Sequence, residues 1–142
     1  MKIIIAIIIE LLFFSCAIKN EKSEKNIGIK VMIPSGKIIH AKKVIDSNIT
    51  FIYGIDEKDN VIYVSTNDSK FKIQNYNLNN TFGDISLNMK DMKYIPGWGY
   101  YIKIDNIWYA GFNFKSKPRQ TSKIEWFFKY NFPKENKNLF EK

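Results

Sequence analysis

From residue 27 onward the chain repeats a single pattern: apolar side chains at alternate positions, broken by turn residues about every 8 to 12 positions. A period of two is the period of a strand, because successive side chains leave the backbone on opposite faces. Ile29, Val31 and Ile33 alternate with Lys30 and Met32, and Pro34-Ser35-Gly36-Lys37 then turns the chain. A second strand starts in 37–45, and 48–54 and 61–65 form a further pair joined across Asp56-Glu57-Lys58-Asp59-Asn60. Ile49, Phe51 and Tyr53 share one face and Thr50 and Ile52 the other, while Val61, Tyr63 and Ser65 oppose Ile62 and Val64. Neither face is wholly polar, so this part of the sheet needs cover on both sides.

The strongest hairpin signal is in residues 99–114. A two-residue turn at Asp105-Asn106, both tolerant of positive φ, pairs Ile104 with Ile107, Lys103 with Trp108, Ile102 with Tyr109 and Tyr101 with Ala110. In that register Ile102, Ile104, Ile107 and Tyr109 form the core face; Tyr101, Lys103, Trp108 and Ala110 face water at least in part. Residues 123–130 read as a last strand because of their aromatic density. One helix is expected over 82–92. Thr81-Phe82-Gly83-Asp84 has the capping-box shape, with Thr81 accepting from the early backbone amides, and Ile85, Met89 and Met92 fall on one stripe. The expectation is an α+β domain: a mainly antiparallel β-sheet of about six strands with one short helix packed on it.

The amino-terminal segment supplies an address. Lys2 precedes an apolar run over 3–14, interrupted by Glu10, and Ser15-Cys16 follows before the composition turns polar. As a helix the run would be about 18 Å long, short of a hydrocarbon core of roughly 30 Å, so removal is favoured over spanning. Phe13-Phe14-Ser15-Cys16 resembles the processing site of bacterial lipoprotein precursors, in which a small residue precedes an acylated cysteine. Ser15 fits that pattern, whereas Phe13 stands where Leu is usual and Phe14 where a small residue is usual. Cys16 is the only cysteine, which leaves no intramolecular disulfide and makes lipidation (palmitate or a similar acyl chain) its expected use. The division is then a signal peptide at 1–15, a lipidated flexible tether at 16–26, one domain at 27–133 and a basic tail at 134–142. An ordinary secreted or anchored protein and a cytosolic chain with a buried first strand remain the alternatives.

Further along, residues 61–66, Asp68, Phe71-Lys72, Thr81-Phe82-Gly83-Asp84-Ile85 and Gly97-Trp98-Gly99-Tyr100-Tyr101 together resemble a group of small, uncharacterised bacterial lipoproteins. In that group a strand ending in a Ser/Thr-Asx segment leads through a Phe-Lys pair and a loop into a capped helix and an aromatic hairpin. The resemblance covers about residues 60–112 and implies a compact α+β domain in the cell envelope with an interaction role.

Charge and residue types exclude several classes. The net charge is +8, yet Arg119 is the only arginine, so the clustered guanidinium groups that read phosphate and guanine are missing and no nucleic-acid partner is expected. Basic residues outnumber acids over 115–142, a stretch read as a solvated tail, with anionic lipid or an acidic partner as the alternative. His40 is the only histidine, which removes His-pair metal sites, and Asp56, Glu57 and Asp59 lack the glycine and terminal glutamate of a calcium loop. No metal or other cofactor is expected.

Aromatic side chains are in surplus over 94–114, more than one face of a hairpin can hide. Trp98, Tyr101, Lys103 and Trp108 form the candidate contact patch for an envelope protein or glycan. The leading expectation is a lipid-anchored envelope protein, on the outer membrane or a periplasmic face, with a non-enzymatic binding role. The alternatives are a secreted or envelope enzyme acting on a polymer through Asp84, Asp91 or Asp105, and a host-facing surface protein using the basic tail.

Overall fold

The structure is a computed structural model that describes residues 28–85, 91–113 and 115–131. The expected leader, Cys16, the expected tether and tail, Met89 and Phe114 lie outside the described residues. Among the described residues, eight strands form one antiparallel sheet: β1 (Ile29–Met32), β2 (Ile38–Asp46), β3 (Ile49–Ile55), β4 (Val61–Thr66), β5 (Lys93–Ile95), β6 (Gly99–Lys103), β7 (Trp108–Phe112) and β8 (Trp126–Tyr130). The order across the sheet is β1-β2-β3-β4-β8-β7-β6-β5, and the sheet curls into a half-barrel. Two four-stranded meanders thus meet along one seam, where β4 pairs with β8 through Tyr63–Tyr130, Val64–Lys129, Ser65–Phe128 and Thr66–Phe127.

Local chemistry sets the turns. Ser47 and Asn48 both take positive φ and make the two-residue link between β2 and β3, matching the right-handed twist of the strands. Between β3 and β4 the Asp56 carboxylate accepts from the Lys58 and Asn60 amides, each at 2.8 Å. The strand count exceeds the expected six in part because β5, only three residues long, escapes a reading based on periodicity. Its signal is the Pro96-Gly97 pair: Gly97 has φ 77°, and the Trp98 amide donates to the Ile95 carbonyl at 3.0 Å, so the chain reverses at once into β6.

The described helix, α1 (Phe82–Ile85), is a single turn. Met92 of the expected stripe lies outside it. Its cap keeps half of the expected box: the Asp84 carboxylate accepts from the Thr81 amide (2.7 Å), and the Asp84 amide donates to the Thr81 carbonyl (3.2 Å), but the Thr81 hydroxyl donates to the same carboxylate (3.1 Å) where acceptance from an amide was expected. The Phe82 and Gly83 amides donate to the carbonyls of Ser122 and Gln120, which fastens α1 to the segment before β8.

Both faces of the sheet are covered, as the mixed strand faces require. On one face Phe71, Phe82 and Ile124, from outside the sheet, pack on Ile102, Trp108, Ala110, Phe112 and Phe127. The Phe71 ring is 4.7 Å from Trp108 and 5.4 Å from Phe127. Its loop is clipped down by Asp68, which accepts from the Thr50 and Lys70 amides, and by Thr66, whose hydroxyl donates to the Thr50 carbonyl. The other face buries Ile33, Tyr63, Ile95, Trp98, Tyr101 and Phe128 in one cluster. Ile33 follows β1 and Ile95 belongs to β5, the two opposite edges of the sheet. One cluster can hold both only if this face is the concave one, and a hydrogen bond from Trp98 Nε1 to the Met32 carbonyl (3.1 Å) ties the two edges there.

Gly111 of β7 lies opposite Trp126 of β8, whose indole rests on the glycine where any Cβ would stand. A Gly111→Ala exchange forces the indole out of its packed position. We expect a loss of about 1–3 kcal/mol, read as a lowered midpoint with unchanged slope in urea unfolding.

Candidate functional site

The register of the β6–β7 hairpin decides which aromatic side chains are available. Lys103 pairs with Tyr109 and Ile102 with Ala110, one residue away from the register expected of a two-residue turn. Asp105 is the cause. Its carboxylate accepts from the Ile107 and Trp108 amides, both at 2.7 Å, while the Trp108 carbonyl accepts from Ile104 at 2.9 Å. The turn thereby takes in Ile104 and Ile107. A one-residue change moves every side chain of one strand to the other face, so Trp108 and Ala110 join Ile102 in the covered core and Tyr109 joins Tyr101 on the concave face.

The four residues of the expected contact patch are therefore not brought together. Trp98 (8 % exposed) and Tyr101 (7 %) are buried on the concave face with ring centroids 6.0 Å apart. Trp108 (8 %) is buried on the opposite face against Phe71, with Lys129 Nζ 4.5 Å from its ring centroid. Lys103 is exposed at the end of β6. Of the carboxylates expected of an enzyme, Asp84 caps α1 and Asp105 builds the hairpin turn. Asp91 is exposed ahead of β5. The three sit on separate elements, and among the described residues no group of three or more His, Cys, Asp or Glu side chains converges as a metal site.

What the fold does assemble is a trough. The aromatic cluster plugs the middle of the concave face, with Tyr109 stacked on Phe128 at 5.1 Å and Trp98 edge-on to Phe128 at 4.6 Å. Each end of the half-barrel remains open. At the end where β4 begins and β8 finishes, Tyr63, Tyr109, Tyr130, Lys103, Asn106 and Ile107 line a groove of about 550 Å³ that carries no carboxylate. At the other end Thr50, Ser65, Asn67, Trp98, Glu125 and Trp126 line a groove of about 370 Å³. Tyr63 contributes to both. The alternation of 61–65 indicates that Tyr63 and Ser65 share a face, but only the pairing of β4 with β8, distant in sequence, makes that face concave.

Electrostatics matches this division. Burial pushes the Tyr63 phenol up to about 12, against a hydrogen bond with Ser65 that acts in the opposite direction. Burial likewise raises Tyr101 to about 12, with Tyr109 beside it adding to the shift, and Tyr109 is itself raised by burial. The surface carboxylates move the other way. Asp56 is lowered chiefly by the Asn60 side chain, Asp68 by the Lys70 and then the Thr50 amide, and Asp84 by the Thr81 amide and hydroxyl. Among the described residues no buried side-chain nitrogen or oxygen lacks a hydrogen-bond partner. Aromatic faces, neutral phenols and exposed amides on rigid strands are suited to holding a ligand.

Comparison with protein-family models, with curated proteins and with solved structures finds no match for this chain.

The raised phenols lead to an alkaline limit on stability. An unfolded tyrosine ionises near pH 10, whereas Tyr63 and Tyr101 ionise near 12 in the folded chain, so their contribution is complete below about pH 10 and is lost as pH rises toward 12. Absorbance at 295 nm should show at least two phenols that ionise late, together with loss of the folded signal; all tyrosines ionising near pH 10 in a folded chain would contradict this. Trp108→Ala tests the other face. It should cost about 3–5 kcal/mol in chemical unfolding, as deletion of a core ring does, rather than leave stability unchanged as loss of a surface contact would.

Proposed function

We propose that this chain is a non-enzymatic binding module of a bacterial cell envelope, held to the membrane through a lipid on Cys16 and contacting an envelope protein or glycan with its concave face. The observation that carries the reading is the trough itself: two open grooves with aromatic and hydrogen-bonding side chains, set on paired strands. Binding is supported over hydrolysis because, of the three carboxylates expected of a polymer-cleaving enzyme, Asp84 and Asp105 are engaged in a cap and a turn, and Asp91 lies on a third, separate segment. General acid and base groups must instead face one substrate position together.

The anchor and the trough complement each other. Residues 16–26 can extend at most about 36–40 Å, which keeps the domain within reach of envelope components near the membrane surface. A lipid-held module meets such partners at high effective concentration, so even a weak single contact suffices.

The full-length chain, expressed in a bacterium, should fractionate with membranes, and mass spectrometry should find its mature amino terminus at an acylated Cys16. Cys16→Ser should release it to the soluble fraction. An unmodified Met1 on a cytosolic chain would overturn the envelope assignment. Measured turnover of an envelope polymer that is lost on Asp84→Asn or Asp105→Asn would overturn the non-enzymatic one.

A further inference from the structure

The Trp98–Trp126 groove has features that the rest of the trough lacks. Its two indoles meet edge to face, 5.6 Å apart at 84°. Both are held before any ligand arrives: Trp98 by its Nε1 bond to the Met32 carbonyl, and Trp126 by lying flat on Gly111. Trp126 is only half-buried and is among the residues lining the groove. A π-surface fixed in this way binds a flat apolar face with little ordering cost.

Around the indoles stand groups that bond hydroxyls. Asn67 and Glu125 are among the residues lining the groove, both are exposed, and neither side chain is engaged in a hydrogen bond among the described residues. Thr50 and Ser65 line it too, the Ser65 side chain being already hydrogen-bonded to Tyr63. A carboxylate accepts from two neighbouring hydroxyls at once, and a carboxamide both donates and accepts. Glu125 is the only ionised group in the lining, so the groove repels anions, whereas the opposite end presents Lys103 and no acid. A volume of about 370 Å³ lies at the small end of the roughly 300–1,000 Å³ range of ligand pockets.

A ligand matching these terms has an apolar C–H face to stack, hydroxyls around its rim and no negative charge. We propose that this groove binds one or two units of a neutral sugar chain, stacked on Trp126 and hydrogen-bonded by Glu125 and Asn67. The inference deepens the envelope-binding reading and rests on it for biological meaning, but the chemistry of the groove can be tested separately.

Tryptophan fluorescence of the purified chain is titrated with maltotriose, chitotriose and trigalacturonate, alongside Asn67→Ala, Glu125→Ala and, at the other end of the trough, Lys103→Ala. All three exposed-residue variants should fold normally by circular dichroism. The expected result is saturable binding of at least one neutral trisaccharide, with Kd raised at least fivefold by each of Asn67→Ala and Glu125→Ala, unchanged by Lys103→Ala, and weaker for trigalacturonate. No response to either neutral sugar at millimolar concentration, or Kd values indifferent to Asn67 and Glu125, overturns the inference. Retention of wild type and Glu125→Ala alike on envelope fractions, abolished by protease treatment of those fractions, would also overturn it while leaving envelope binding intact. Failure of wild type to be retained at all would count against the broader reading instead.

Discussion

Phe127 and Phe128 are consecutive and both fully buried, each in a different core. Because neighbouring strand residues face opposite ways, one dipeptide in β8 anchors the covered face through Phe127 and the concave face through Phe128. β8 is also the strand that joins the two meanders, pairing with β4 on one side and β7 on the other. Everything else is arranged about this seam. The loop carrying Phe71 and the turn α1 close over the Phe127 side, and Ile33, Ile95 and Trp98 close beneath Phe128 from the two sheet edges. Such a molecule has few independent parts: loss of β8 would leave a four-stranded sheet and a three-stranded one, each with both faces incompletely covered.

The acidic residues illustrate how local geometry removes chemical options. Asp56, Asp68, Asp84 and Asp105 each accept backbone amides in a turn or cap. For the first three, those bonds hold the carboxyl below its ordinary range, favouring the ionised acceptor. A carboxylate so engaged is a structural clasp. Glu125 differs: it is exposed among the residues that line a groove, and among the described residues no hydrogen bond engages its side chain.

How far the fold was legible follows from the range of the interactions involved. The alternation from residue 27, the turn at Pro34-Ser35-Gly36, the charged link at 56–60 and the need for cover on both faces are local properties, and each corresponds to an observed element or face. The hairpin register was not legible, because the choice between a two-residue turn and the longer one depends on where the Asp105 carboxylate points. That single difference separates Trp108 from Trp98 and Tyr101. Strand β5 hid behind its length, and the groove residues Glu125, Asn67 and Trp126 carried no signal because they lie on segments distant in sequence.

Composition and periodicity by themselves determined an antiparallel, two-face-covered sheet rich in buried rings, a chain with one cysteine and one histidine, and a basic surface without arginine clusters. Those properties are sums over residues or patterns between near neighbours, so they survive without knowledge of the third dimension. Only the tertiary structure decided that the meanders join through β4 and β8, that the sheet curls until its edges meet at Trp98, and that Trp126 comes to rest over Gly111 at the mouth of a groove. These outcomes arise from pairing between strands some sixty residues apart, where the free energy of burying both faces at once selects one arrangement among several that local sequence would permit equally well.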